Sequence, residues 1–162
     1  MFFDLETTAL RPDRGGRICE MAVVDQEGIQ FNWTSDHESP SDPAVGRQLA
    51  VLRGHLQDNV VVGHNLSFDF RFLTYEAERI GQDGLDVRFA DTLGLARRQL
   101  PSRDNYQLGA LLDAFGIGQE AALHTAVGDA LAARALFWEL VDHGNLETLS
   151  DVGVKRLSWN PG

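Results

Sequence analysis

Phe3-Asp4-Leu5-Glu6-Thr7-Thr8, at the start of the chain, decides how the rest is read. An Asp and a Glu two residues apart, set among Phe2, Phe3 and Leu5, read as a strand. Side chains alternate along a strand, so Asp4 and Glu6 project from one face. Two carboxylates in apolar surroundings repel each other and desolvate badly, so they need a compensating cation. Hard divalent ions such as Mg²⁺ or Mn²⁺ answer oxygen-only ligands. An exposed acidic pair beside a chain terminus is the plainer alternative.

Outward from this stretch, residues 11–16 form a turn-rich loop, and residues 18–24 and 29–33 read as two strands joined by Asp25-Gln26-Glu27-Gly28. A polar loop covers residues 34–43. Val45, Leu49, Leu52 and Leu56 then recur at helical spacing. Val60-Val61-Val62 is a short strand ending at Gly63-His64-Asn65, and a helix follows over residues 67–80. A strand over 87–90 and helices over 92–99, 108–115 and 126–142 complete the main pattern. Hairpin strands followed by alternating helix and strand predict an α/β fold with a mixed sheet flanked by helices. The tail from Gly144 is polar, with a short helix expected near residues 146–149.

Two later acids lie on apolar helix faces. Asp69 shares its face with Phe72, Leu73 and Ile80, and Asp129 with Ala133, Leu136 and Leu140. A carboxylate so placed costs several kcal/mol unless paired. An Arg or a backbone cap would satisfy either acid, and Asp69 would also suit the dipole of a first helical turn. His124 precedes Asp129 by five residues, about 140° apart if both were helical, so the His is better placed ahead of the helix with Thr125 near the N-cap.

Taken together, Phe3-Asp4-Leu5-Glu6-Thr7-Thr8, Gly63-His64-Asn65-Leu66-Ser67-Phe68-Asp69, and His124 with Asp129 resemble the three exonuclease motifs of the DnaQ-like family. The branch is the DEDDh one, which includes proofreading subunits of bacterial replicative polymerases. The resemblance runs through Asp91-Thr92-Leu93 and covers nearly the whole chain. It implies a ribonuclease H-like fold with a five-stranded sheet, an exonuclease domain over residues 1–143, and a C-terminal tail over 144–162. It implies 3′-to-5′ cleavage of DNA or RNA, with Asp4, Glu6, Asp69 and Asp129 holding two divalent ions, Mg²⁺ or Mn²⁺. By the same resemblance His124 takes the proton from the attacking water, and nucleoside 5′-monophosphates leave from a 3′ end. Thr7, Thr8, Ala9 and Leu10 would contact the terminal nucleotide, with Leu10 as a wedge between bases, while Asn65 and Phe68 line the site and His64 is structural.

The chain departs from the family in three places. Ala9 stands where Gly is usual, only Met1 and Phe2 precede the first strand, and the His-Gly-Ile segment usual before the first helix is replaced by the polar loop 34–43. Losing that segment opens one wall of the site. Arg97, Arg98 and Arg103 cluster beside Tyr106, either to track phosphates or as a solvated helix end.

Composition narrows the partners. The net charge of -10 argues against coating nucleic acid through a broad basic face, but not against holding one phosphodiester through metal ions. Lys155 is the only lysine. No apolar run reaches the roughly 18 residues of a membrane span, so no membrane partner is expected. A lone Cys19 fits a reducing cytoplasm. The expected partner is a single-stranded nucleic acid 3′ end, with a polymerase or other nucleic-acid-processing assembly as a candidate and the oligomeric state open. An RNA trimmer resembling ribonuclease T or oligoribonuclease is the alternative enzyme. An inactive scaffold is the alternative outside the enzymes, although it would be expected to have lost an acid or the His.

Overall fold

A computed structural model describes residues 1–35, 42–82, 84–118 and 122–159. Its centre is β1 (Phe2–Thr7), with β2 (Ile18–Val24) and β3 (Ile29–Thr34) forming an antiparallel meander on one side. On the other side lie β4 (Val60–Gly63), parallel to β1, β5 (Leu85–Asp91), parallel to β4, and β6 (Lys155–Trp159), antiparallel to β5. The sheet order is β3-β2-β1-β4-β5-β6. Helices α1 (Asp42–Leu56), α2 (Leu66–Arg79), α3 (Thr92–Gln99), α4 (Leu108–Phe115), α5 (Ala126–His143) and α6 (Leu149–Val152) complete the chain.

The expected mixed sheet flanked by helices is present, and it is one strand wider than the five expected. The extra strand is β6, in the tail read as polar. Only Leu157 and Trp159 of its five residues are large and apolar, so the sequence carries little strand signal. Pairing with β5 makes it a strand, helped by the two-pronged bond from Arg156 to Asp86, at 2.8 and 2.5 Å. The short tail helix sits a turn later than expected, because Thr148 and Asp151 form a reciprocal capping box that starts it at Leu149.

Alternation along β1 sorts its side chains. Phe3 and Leu5 enter the core built with Leu52, Leu56, Leu66 and Phe72 from α1 and α2. Phe2 joins the opposite core, with Leu111, Leu136 and Leu140 from α4 and α5. Asp4 and Glu6 continue the face of Phe2, toward α5. No helix among the described residues is long and apolar enough to cross a membrane.

One buried ion cluster ties the loop after β1 to α2. Glu76 is fully buried; its Oε1 accepts from Arg17 Nε at 2.7 Å and its Oε2 from Arg79. Arg17 also closes the loop, donating its N–H to Thr8 Oγ1 and accepting from the Thr8 N–H, both at 2.9 Å. Removing one partner of a buried pair leaves a poorly compensated charge. Arg17→Met should therefore cost about 2–3 kcal/mol, discounted because Arg79 remains, and lower the melting temperature by about 5–10 °C. Adding Glu76→Met should recover part of the loss in the same melting experiment. An unchanged melting temperature in the single variant would remove the cluster from the stability account.

Candidate active site

The site opens where β1 outruns β4. The two strands are in register at Phe2 and Val62, and β4 then stops at Gly63, which lies so close to β1 that a Cβ there would sit 2.6 Å from the Phe3 carbonyl oxygen. Past that point Leu5 N–H finds its acceptor in Asp69 Oδ1, at 3.2 Å, from the first turn of α2. Asp69 is 3% exposed, and it caps the free strand edge as well as facing the other acids.

The first turn of α5 brings in Asp129. Thr125 is the N-cap: its Oγ1 accepts from Gly128 N–H at 3.0 Å and its carbonyl from Asp129 N–H at 2.9 Å. The Thr125 hydroxyl donates back to the Ala122 carbonyl at 3.0 Å. This wrapping is so tight that a Cβ at position 128 would lie 1.8 Å from the Ala122 oxygen, so only glycine fits there. His124 adopts a left-handed φ of 65°, and its backbone N–H donates to Asp129 Oδ1 at 3.1 Å. His124 is exposed, and it lies close enough to Glu6 and Asp129 to act on both carboxylates electrostatically.

Carboxylate oxygens of Asp4, Glu6 and Asp129 converge within 4.8 Å of one another. Asp69 is not one of this trio and is held by its bond from Leu5 N–H. All four acids are pushed upward from ordinary carboxylate values. For Asp4 the shift is large; burial is the first cause and repulsion from Asp69, Asp129, Glu6 and Glu20 follows. Burial raises Asp69 to about 8 against the bonds from its own N–H and that of Leu5. Burial leads for Glu6 and Asp129 too, with His124 pulling both back down. Among the described residues, every charged neighbour that moves Asp4 is another acid, and its buried Oδ2 has no hydrogen-bond partner. An oxygen-only donor set with an orphaned buried oxygen fits a hard divalent cation.

The family model described as "Exonuclease", of ribonuclease T type, matches residues 27–137. The chain belongs to this exonuclease family. The match starts after β1, so Asp69, His124 and Asp129 lie within it and Asp4 and Glu6 before it. The chain is 30% identical over 175 residues to the PolC-type DNA polymerase III of Thermotoga maritima, covering 96% of this chain but 12% of that protein. It is 27% identical over 160 residues to the 3′-5′ exonuclease DinG of Bacillus subtilis, covering 86% of this chain and 17% of DinG. It therefore spans less than a fifth of either relative's length. Among solved structures, Exonuclease X in complex with 5′ overhanging duplex DNA matches with a TM-score of 0.64 at 21% identity, over 93% of this chain and 95% of that one, and so shares its fold.

Other candidate residues of this exonuclease-family chain divide by position. Thr7 donates from Oγ1 to the Ala9 carbonyl at 2.9 Å, and with Thr8 it shapes a loop that leaves Ala9 exposed and Leu10 78% exposed. Asn65 is exposed at the head of α2, in a left-handed conformation. Phe68 is half-buried, its ring 5.0 Å from that of Phe72 and covered by Arg71. The arginine cluster separates. Arg98 reaches the Val152 carbonyl at 2.7 Å, at the end of α6, and Arg103 bonds the Asn105 carbonyl in its own loop and the Ala110 carbonyl in α4. Only Arg97 of the three faces the site, lying over the Tyr106 ring in a cleft of about 610 Å³ that Asn65, His124 and Asp129 also line.

His64 holds that cleft's floor together, with Nδ1 2.9 Å from Thr92 Oγ1 and Nε2 2.9 Å from the Tyr106 carbonyl, and burial lowers its pKa. Two acids had no role assigned from sequence. Asp91 accepts from the N–H groups of Asn65, Leu66 and Leu93, tying the starts of α2 and α3 together. Glu20 stands directly opposite Glu6 across the β1–β2 pair, and its Oε2 accepts from Ala126 N–H at 3.1 Å. Neither partner could be found without the strand register or the approach of the helix starts. The wall expected to be open at loop 34–43 falls largely on residues 36–41, which lie outside the described residues.

Proposed function

We propose that this chain is a divalent-metal-dependent 3′-to-5′ exonuclease, releasing nucleoside 5′-monophosphates from the 3′ ends of single-stranded or frayed DNA. The observation that carries the reading is the convergence of Asp4, Glu6 and Asp129 within 4.8 Å, beside the fact that one buried oxygen of Asp4 has no hydrogen-bond partner among the described residues. DNA is favoured by the likeness to a PolC-type polymerase and to the fold of Exonuclease X, and a polymerase assembly is the partner that this likeness suggests.

Asp4, Glu6, Asp69 and Asp129 would hold two divalent ions, Mg²⁺ or Mn²⁺, which when bound supply Lewis-acid polarisation of the scissile phosphate and neutralise its charge. His124 accepts the proton of the attacking water as its oxygen bonds to phosphorus and the bond from phosphorus to the departing 3′ oxygen breaks. The bond from His124 to Asp129 is made by the backbone N–H, so it ties the two residues together without using a ring nitrogen. Leu10, exposed at the tip of its loop, would wedge against the terminal base, with Asn65 and Phe68 as further contacts to the nucleotide.

Arg97 contacts a phosphate of the strand that enters the cleft. Arg97→Ala should weaken binding and reduce the salt slope for single strands by about 0.7, the value for one phosphate contact, leaving turnover at saturation near the parent's. Arg98→Ala should leave the slope unchanged, because that guanidinium is engaged at α6. Binding titrations at several salt concentrations read both.

Product analysis on end-labelled DNA and RNA, single-stranded and blunt duplex, with Mg²⁺ or Mn²⁺, tests the whole reading. Mononucleotides released stepwise from 3′ ends of single-stranded DNA, with blunt duplex poorer, are expected. Preference for matched RNA would move the chain to the trimming enzymes, and internal cuts or no products would end the exonuclease proposal.

A further inference from the structure

Glu20 and Glu6 face each other across the antiparallel β1–β2 pair, on the side that faces α5. Like charges directly opposite on a sheet are destabilising, so the arrangement calls for something that compensates it. The register changes here: Glu6 pairs with Glu20, but Thr7 pairs with Ile18, so Cys19 is left over in a bulge. Bulges re-aim neighbouring side chains. Here the Glu20 carboxylate reaches the N–H of Ala126, the first residue of α5, at 3.1 Å. A helix start leaves its first N–H groups without internal acceptors. In α5, Gly128 and Asp129 turn to Thr125, whereas Ala126 turns to the sheet. Glu20 does not belong to the trio whose oxygens lie within 4.8 Å.

We infer that Glu20 is a positioning residue: its bond to Ala126 fixes the first turn of α5, and with it Asp129 and the His124 loop, against Asp4 and Glu6 on β1. The inference rests on the proposed metal-dependent reading for its consequence, but not for the bond itself. The rest of α5 is seated by Ala130, Ala133, Leu136 and Leu140, all at most 1% exposed, so losing the anchor loosens the first turn rather than the helix.

The test compares the parent with Glu20→Leu, which has no acceptor, and Glu20→Gln, which keeps one but loses the charge. Three quantities are read: amide exchange at Ala126 without metal, the Mn²⁺ concentration that gives half the thermal shift, and kcat with KM on single-stranded DNA. Glu20→Leu should speed Ala126 exchange and raise the Mn²⁺ midpoint about 10- to 100-fold, the usual cost of losing a group that orients a ligand. Its kcat should fall by a similar factor with KM nearly unchanged. Glu20→Gln should recover most of all three, because its amide oxygen still accepts from Ala126. Parental exchange and midpoint in Glu20→Leu would overturn the inference, as would a Glu20→Gln variant as impaired as Glu20→Leu, since charge and not the bond would then matter. Should Glu20→Leu fail to fold, Glu20→Ala removes the same acceptor without the branched bulk. If the parent proves inactive on every substrate, the nuclease reading falls while Ala126 exchange still decides the role of Glu20.

Discussion

Asp4→Asn should lower turnover by about 10³-fold or more, the scale of losing several kcal/mol of charge stabilisation, and yet raise the melting temperature of the metal-free protein. The two effects have one cause. Asp4 sits among Asp69, Asp129, Glu6 and Glu20, and its buried Oδ2 has no donor among the described residues. Without a cation its charge is repelled from every side, so neutralising it relieves the fold. With a cation the same charge is a ligand, so the variant should lose the thermal shift that Mn²⁺ gives the parent. Melting in EDTA and in Mn²⁺, beside a rate measurement, reads both halves. A variant that melts lower without metal and still shifts with Mn²⁺ would show Asp4 to be structural.

His124 should behave differently. Replacing it is expected to cost about 10²- to 10⁴-fold in turnover, the range for losing a positioned general base. The Mn²⁺ shift should survive, because Asp129 is held by the backbone N–H at position 124 and not by the ring. The left-handed φ of 65° makes Asn the better replacement, since Asn tolerates that conformation and cannot accept the proton. His124→Asn with a near-parental rate would return the imidazole to the solvated surface.

Much of this architecture was legible from residue pattern alone, and the failures have physical reasons. Strand β2 and helices α3 and α4 have the expected bounds because apolar periodicity and local caps agree there. For α3, the Asp91 side chain accepts from Leu93 N–H at 2.9 Å, so its start is written locally. Strand β6 was illegible because the strand exists by pairing with β5. The same distinction runs through the site. Asp4 and Glu6 betray a common face by alternation, and Asp129 betrays its position by the apolar face around it. The bond that Glu20 accepts depends on a bulge of one extra residue, Cys19, and on a helix more than 100 residues away. The arginine cluster divides for the converse reason: neighbours in sequence, Arg97 lines the cleft and Arg98 bonds α6. Asp69 combined two readings, since it lies in the first turn of its helix and also bonds the edge of β1.

The central claim is that these carboxylates form a cation site that is strained when empty, and pH-dependent melting of the parent beside Asp4→Asn tests it most directly. Asp69 is raised to about 8 in the folded chain, and Asp4, Glu6 and Asp129 are raised too. Between the ordinary carboxylate value of about 4 and these raised values, the folded state binds more protons than the unfolded one, so metal-free stability falls as pH rises. His64 and the Met1 amino group, both lowered by burial, act in the opposite sense, which is why the difference between the two proteins is the quantity to follow. From about pH 5.5 to about pH 8.5, the metal-free parent should lose several degrees relative to Asp4→Asn, and Mn²⁺ should restore more to the parent at the higher pH, where cations replace the missing protons. Parallel melting curves for the two proteins, with no Mn²⁺ shift in the parent at either pH, would contradict the account.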